Sequence, residues 1–297
     1  MGPVQVRVAA RGAGAVKGKV GRSIRAILAL PTIGWVALFF AVPLVMVLVY
    51  SFATISLVTF NTTFGWTWSN YRQIFDHLYL DTFIRSVLLS VSATAGCLLL
   101  GFPLAYFISR QTPRRQRLLL VLVIVPFWTS FIVRTYAMEN LLGPGGPVDH
   151  LARLLGFSQG LVLLYTPAAI GIGILYSYLP LMVLPIYVSL ERIDAALLDA
   201  AWDLGALPRR AFWRVTVPLA APGILVGCLI VGIPAMGEYV IPEVLGGGKT
   251  LMLGNVISEQ FLSIGNAPFG SAIAVVLMLA MAAALFGLRR ARKLEET

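Results

Sequence analysis

The sequence predicts an all-α integral membrane protein of six kinked transmembrane helices, and three observations predict it. Charged residues make up 12% and hydrophobic residues 58% of the 297 positions, where a soluble domain carries roughly 25% charged residues. Uncharged stretches able to hold a helix of spanning length, about 20 residues, recur six times. Lys and Arg sort into alternate loops, as membrane orientation requires. The same composition excludes an ordinary soluble enzyme and a disordered chain. What remains as loops leaves no room for a second soluble domain of about 100 residues.

Residues 1–25 form a basic, Gly/Ala-rich tail holding Arg7, Arg11, Lys17, Lys19, Arg22 and Arg25. The apolar stretch 27–51 is longer than a signal-peptide core and reads as an uncleaved first helix. The next stretches are 86–109, 118–133 (extendable to 138 through Arg134), 160–190, 215–237 and 260–288. The transmembrane domain thus runs over 26–290, with a short second tail at 291–297. Pro43, Pro103, Pro126, Pro180, Pro185 and Pro234 fall inside these stretches. Each removes an i→i−4 bond and predicts a kink, which neighbouring helices make tolerable in a bilayer.

With the N-terminus placed in the cytoplasm, 18 of the 23 Lys and Arg residues fall inside. They are the six of the tail, Arg110, Arg114, Arg115 and Arg117, then Arg192, Arg209, Arg210 and Arg214, and last Arg289, Arg290, Arg292 and Lys293. Arg72, Arg85, Arg134, Arg153 and Lys249 fall outside. Both termini are therefore expected in the cytoplasm, and the net charge of +10 calls for no nucleic-acid partner. Cys97 and Cys228 lie in apolar runs and read as small core residues. His77 and His150 lie in polar loops with no second ligand nearby. No metal site is expected.

The most informative segment is the inner loop at 191–218. Asp194 suits an N-cap and Gly205 a C′ position. Between them Leu197, Leu198, Ala201 and Leu204 share an apolar face, while Asp199 and Asp203 share another. Pro208 then opens a second helix. An amphipathic helix on the inner side of a bundle is a docking element; lying flat on the membrane surface is the alternative.

In these residues the sequence resembles the permease subunits of bacterial ABC importers. Their main cytoplasmic loop carries E-A-A-x-x-x-G and, nine residues later, apolar-x-apolar-Pro. This chain has Asp199, Ala200, Ala201 and Gly205, then Val215, Thr216, Val217 and Pro218; Asp199 replaces the usual Glu and shortens the reach. The resemblance implies a type I importer permease fold and a coupling helix seated in a groove of a partner ATPase. Residues 126–136, 233–247 and 254–261 narrow it to spermidine/putrescine-type permeases, over about 33 to the end of the sixth helix.

The resemblance also implies partners: a second homologous permease, two copies of an ABC ATPase and a periplasmic substrate-binding protein, all in the lipid of a bacterial inner membrane. This chain would bind no cofactor; the ATPase would use ATP and Mg. Other small amines, or amino and organic acids, are alternative cargoes within the same class. A stand-alone secondary transporter should show internal repeats, and none is clear. A membrane enzyme would need a catalytic set, and none exists.

A polyamine asks for carboxylates spaced along a cavity and for aromatic faces. The candidates are Trp128, Tyr136 and Glu139 around the third helix, and Glu238, Tyr239 and Glu243 at the end of the fifth. Structural pairing of Arg134 with Glu139 or Glu238 is the competing role, as is docking of the binding protein. Two motifs stay open or fail. Gly223 and Gly227 form either a helix-packing face or a tolerated small pair. Gly248, Lys249 and Thr250 resemble the end of a P-loop, but its first Gly is missing, with Glu243 in that place.

Overall fold

The computed structural model describes residues 31–56, 61–156 and 163–295. The basic tail at 1–25, the first residues of the span expected from 27, and 160–162 of the fourth stretch lie outside the described residues. Twelve helices follow among those described. They are α1 (Pro31–Tyr50), α2 (Ser69–Ile74), α3 (His77–Ser109), α4 (Pro113–Trp128), α5 (Phe131–Leu142), α6 (Pro147–Leu154), α7 (Pro167–Glu191), α8 (Ala195–Asp203), α9 (Pro208–Met236), α10 (Val240–Gly246), α11 (Leu253–Leu262) and α12 (Ala267–Glu295). A two-stranded antiparallel ribbon pairs Thr54 with Thr63 and Ile55 with Thr62 after α1.

Five of the helices, α1, α3, α7, α9 and α12, are long and apolar enough to cross a membrane by themselves. The third span differs from the single kinked helix expected over 118–133 and onward to 138. The chain turns by 93° between α4 and the helical segment that follows from Phe131. Pro126 has no N–H to donate, the helix tightens to a 3-10 turn at Val125–Trp128, and Thr129 and Ser130 are extended. The Thr129 hydroxyl donates to the Pro126 carbonyl at 2.7 Å, which closes the broken end.

The sixth apolar stretch is also divided. A turn with Gly265 at φ 74° separates α11 from α12, so only the part after Ala267 spans. The fifth span is longer than expected at its N-terminal end. It begins at Pro208 and runs through a wide π-helical turn, Phe212–Thr216, into Val217–Met236. Pro218 cannot donate to the Arg214 carbonyl, and the widened turn sits where that bond is lost.

The bundle is organised by α3, α7 and α9. Ile108, Ile186, Leu190 and Ala220 belong to one buried cluster. Ala93, Ile170, Ile174 and Ala235 belong to another, together with Ile241 and Leu245 of α10. Hence α3 and α7 run parallel and α9 antiparallel to both. One cluster lies at the end carrying α8, the other at the opposite end. A third cluster joins Ile74, Leu253, Val256, Phe269 and Ile273. No residue of α1's most apolar stretch is buried; α1 lies against α12. The Asn70 amide donates to the carbonyls of Ser51 and Ala53 at 2.9 and 2.8 Å, satisfying groups orphaned where α1 ends.

Gly223 and Gly227 are the packing face between α9 and α7. A Cβ on Gly223 would fall on the Pro185 carbonyl and the Ser189 hydroxyl, and one on Gly227 would lie 2.7 Å from the Met182 sulfur. Ser90 of α3 donates to the Gly232 carbonyl of α9 at 2.8 Å, which adds a polar tie across the same layer.

Gly223→Ala should therefore lower stability by about 1–3 kcal/mol through overpacking. Gly171→Ala, in α7 with nothing within 4 Å, should be neutral or gain up to about 1 kcal/mol in helix propensity. Thermal unfolding of the two purified variants in detergent reads the opposite signs.

Candidate functional site

At one end of the bundle the loop between α7 and α9 folds as a closed unit. The Asp194 carboxylate accepts the Ala196 N–H at 3.0 Å and caps α8. Gly205 lies at φ 78°, a conformation that costs other residues roughly 1–2 kcal/mol. Its N–H donates to the Trp202 carbonyl at 2.8 Å, and that of Ala206 to the Ala201 carbonyl at 3.0 Å. These are the paired bonds of a Schellman ending.

The helix so closed presents Asp199 and Ala200 to the outside, with Ala201 half-buried. Of the expected apolar face only Leu198 is buried; Leu197 and Leu204 are exposed, as are Trp202 and Leu207. An apolar stripe left open on a rigid helix is a surface for a partner groove. Phe212, at the start of α9, fixes the loop to the bundle. Its ring stands edge-on to Phe102 and Tyr106 of α3, with centroids 5.8 and 5.5 Å apart. Pro218 is exposed beside the widened turn.

At the opposite end Glu238 is 7% exposed and fully engaged. Its Oε1 accepts the N–H groups of Tyr239 and Val240, both at 3.1 Å, and of Ile241 at 3.5 Å. The Tyr178 hydroxyl donates to its Oε2 at 2.6 Å. The carboxylate is thus the N-terminal cap of α10, where the helix dipole also favours an anion. It sits in the wall of a cavity of about 590 Å³ bounded by Ser130, Phe131, Tyr178 and Tyr239.

Tyr239 also borders a second cavity, of about 520 Å³, with Glu243, Asn255, Ser258 and Glu259. The Asn255 amide donates to the Tyr239 carbonyl and to Glu243 Oε2, both at 2.9 Å. Both Glu243 and Glu259 are exposed. Asn255 and Glu259 are site residues that sequence reasoning did not single out, although their i,i+4 spacing on one helix face was a signal.

Ser130 and Phe131 at the break of the third span line the first cavity, but Trp128, Arg134, Tyr136 and Glu139 line neither. Trp128 and Tyr136 are 82% and 52% exposed, and Glu139 is half-buried. Arg134 is 8% exposed and lies over the rings of Phe127 and Phe131, at 4.9 and 5.9 Å. Among the described residues it makes no ion pair with Glu139 or Glu238. No group of three or more His, Cys, Asp or Glu that could hold a metal occurs among the described residues.

Residues 97–291 match the family described as binding-protein-dependent transport system inner membrane components. The spermidine/putrescine transport system permease protein PotB of Escherichia coli (strain K12) is 39% identical over 263 residues, which cover 88% of this chain and 95% of that protein. PotB of Haemophilus influenzae is 41% identical over 261 residues, covering 88% and 91%. Among solved structures, a bacterial ABC transporter involved in the import of the acidic polysaccharide alginate matches with TM-score 0.66 at 18% identity, over 93% of this chain and 99% of that one. The MetNI methionine ABC transporter, in an inward facing conformation, matches with TM-score 0.55 at 18% identity, over 71% and 93%. At such identities the structural likeness establishes the fold alone, and that fold is the type I importer permease.

The cap geometry predicts a graded response at Glu238. Glu238→Ala should cost about 0.5–2 kcal/mol, the worth of a helix cap, and Glu238→Gln, which keeps an acceptor oxygen, should cost less. Thermal melts of the purified variants check the order.

Proposed function

This chain belongs to the binding-protein-dependent transport system inner membrane components, and from that membership we propose that it is one of two non-identical permease subunits of an ATP-driven polyamine importer. The observation that carries the reading is its likeness, over 88% of its length, to permeases named for spermidine and putrescine. The chain forms half of the translocation path. A second homologous permease supplies the other half, two ATPase subunits hydrolyse ATP with Mg, and a periplasmic binding protein delivers cargo. Both termini face the cytoplasm.

Coupling follows from the loop. The outer side of α8, with Asp199, Ala200 and the half-buried Ala201, seats in a groove of the ATPase. Closure of the ATPases displaces α8 as a rigid piece, because both its ends are capped and Gly205 sets the turn that follows. The Phe212 contacts with Phe102 and Tyr106 pass that displacement to α3 and α9. The bundle rocks between two packed arrangements rather than deforming continuously.

Cargo recognition follows from the opposite end. A polyamine carries ammonium groups joined by methylenes, so it needs carboxylates in water-filled space and an aromatic wall between them. Glu243 and Glu259 supply the charge and Tyr239 the wall. Glu238 positions α10 through its cap instead of contacting cargo.

The test is ATP-dependent uptake of labelled putrescine and spermidine in proteoliposomes holding this chain, its cognate second permease, ATPase and binding protein. Glu243→Gln and Glu259→Gln should each raise KM about two- to fivefold, the worth of a partly exposed ion pair. Gly205→Val should leave the chain inserted and abolish ATP-driven uptake. Uptake that persists without the ATPase overturns the importer reading. ATPase activity stimulated by another loaded binding protein, without polyamine uptake, overturns the cargo.

A further inference from the structure

At the end of the bundle that carries α8, two cavities share one wall. The first is an apolar groove of about 360 Å³ between α3 and α9, lined by Leu99, Phe102 and Pro103 on one side and Phe212, Trp213 and Ile224 on the other. The second, of about 210 Å³, is lined by Tyr106, Arg110, Trp202, Phe212 and Thr216. Phe212 divides them, its ring standing edge-on to Phe102 on one side and Tyr106 on the other.

The two compartments differ in chemistry along one line. The groove lies within the apolar length of α3 and α9, where Pro103 interrupts the helix wall. The smaller cavity opens where both spans stop, at the Ser109 end of α3 and the Pro208 start of α9. Arg110 lies there, exposed, with its guanidinium 5.1 Å from the Tyr106 ring centroid. No ion pair joins it to an acid among the described residues. Arg209, Arg210 and Arg214 are exposed on the adjoining turns. Trp213, in the groove wall, is 60% exposed, and indoles are enriched at membrane interfaces.

A molecule matching both halves has a long apolar tail and an anionic head. We propose that this pair of cavities binds one anionic phospholipid of the leaflet facing the coupling loop, with an acyl chain in the groove and its phosphate at Arg110. Basic pockets between spanning helices at the cytoplasmic face recognise such headgroups. The charge complementarity favours lipid over a second protein, whose apolar helix face would leave Arg110 unanswered. Because Trp202 of α8 lines the headgroup cavity, the lipid bridges α3 to the coupling helix. The inference rests on the chain spanning a membrane and not on the identity of the cargo.

Native mass spectrometry of the assembled complex tests it, with phosphatidylglycerol and phosphatidylcholine of identical chains added in turn. Wild type should retain phosphatidylglycerol about fivefold better, the ratio for one basic contact near a membrane surface. Arg110→Gln should bring retention down to the phosphatidylcholine level, Arg110→Lys should preserve it, and Arg72→Gln, far from the groove, should not change it. Leu99→Trp should expel both lipids. Equal retention of the two lipids by wild type, or of phosphatidylglycerol by wild type and Arg110→Gln, overturns the proposal. Should Leu99→Trp fail to assemble, photoreactive phosphatidylglycerol replaces it on the wild-type complex. Label on the peptides 98–103 or 212–224 supports the site; label absent from both means that another subunit covers the groove, and the proposal fails.

Discussion

Inside hydrocarbon a backbone N–H or C=O has no water to turn to, so each must find its partner within the helix or from a neighbour. The prolines of this chain break that rule at fixed places, and the architecture follows from how each break is repaired. Near Pro218 the helix widens over Phe212–Thr216 and continues. At Pro126 the repair is a 3-10 turn and a hydroxyl bond from Thr129, and the chain leaves in a new direction. Pro180 and Pro185 remain within a continuous α7, tightly held between α3 and α9. The same sequence feature yields a bend, a bulge or an unbroken helix according to what packs around it.

That dependence marks the limit of what the sequence reveals. Span number, the N-cap at Asp194 and the turn at Gly205 are local properties, and composition, spacing and charge expose them. The break at Thr129 and Ser130 is less legible, because Pro126 announces a kink but not its size. The role of Glu238 is hidden for another reason. Its acidic side chain beside Tyr239 suggests cargo, whereas its hydroxyl partner is Tyr178, 60 residues earlier, and α10 is too short for its start to be legible. Arg134 shows the opposite error. Charge alone suggests an acidic partner, but the guanidinium lies on Phe127 and Phe131.

The two ends of the bundle are built differently. At the α8 end, aromatic rings and closed helix termini pack the coupling loop against the bundle, beneath a cationic rim. At the other end, short helices surround two cavities, and polar ties such as Asn255 to Tyr239 and Glu243 hold them in place. On the proposed reading, force enters at the α8 end and selectivity resides at the end that holds the two cavities. The glycine face at Gly223 and Gly227 joins the two ends, since close contact between α9 and α7 lets one helix carry the other.

The bond between Tyr178 and Glu238 has a kinematic consequence. It fastens α10 to the middle of α7, with Ile241 and Leu245 packed in the same cluster as Ile170 and Ile174. On the alternating-access reading proposed above, these elements would travel as a single body, and the hinges would fall where helical bonding is interrupted: the pair Thr129–Ser130 and the turn through Gly265. Such a subunit would pivot as a few plates about two short seams.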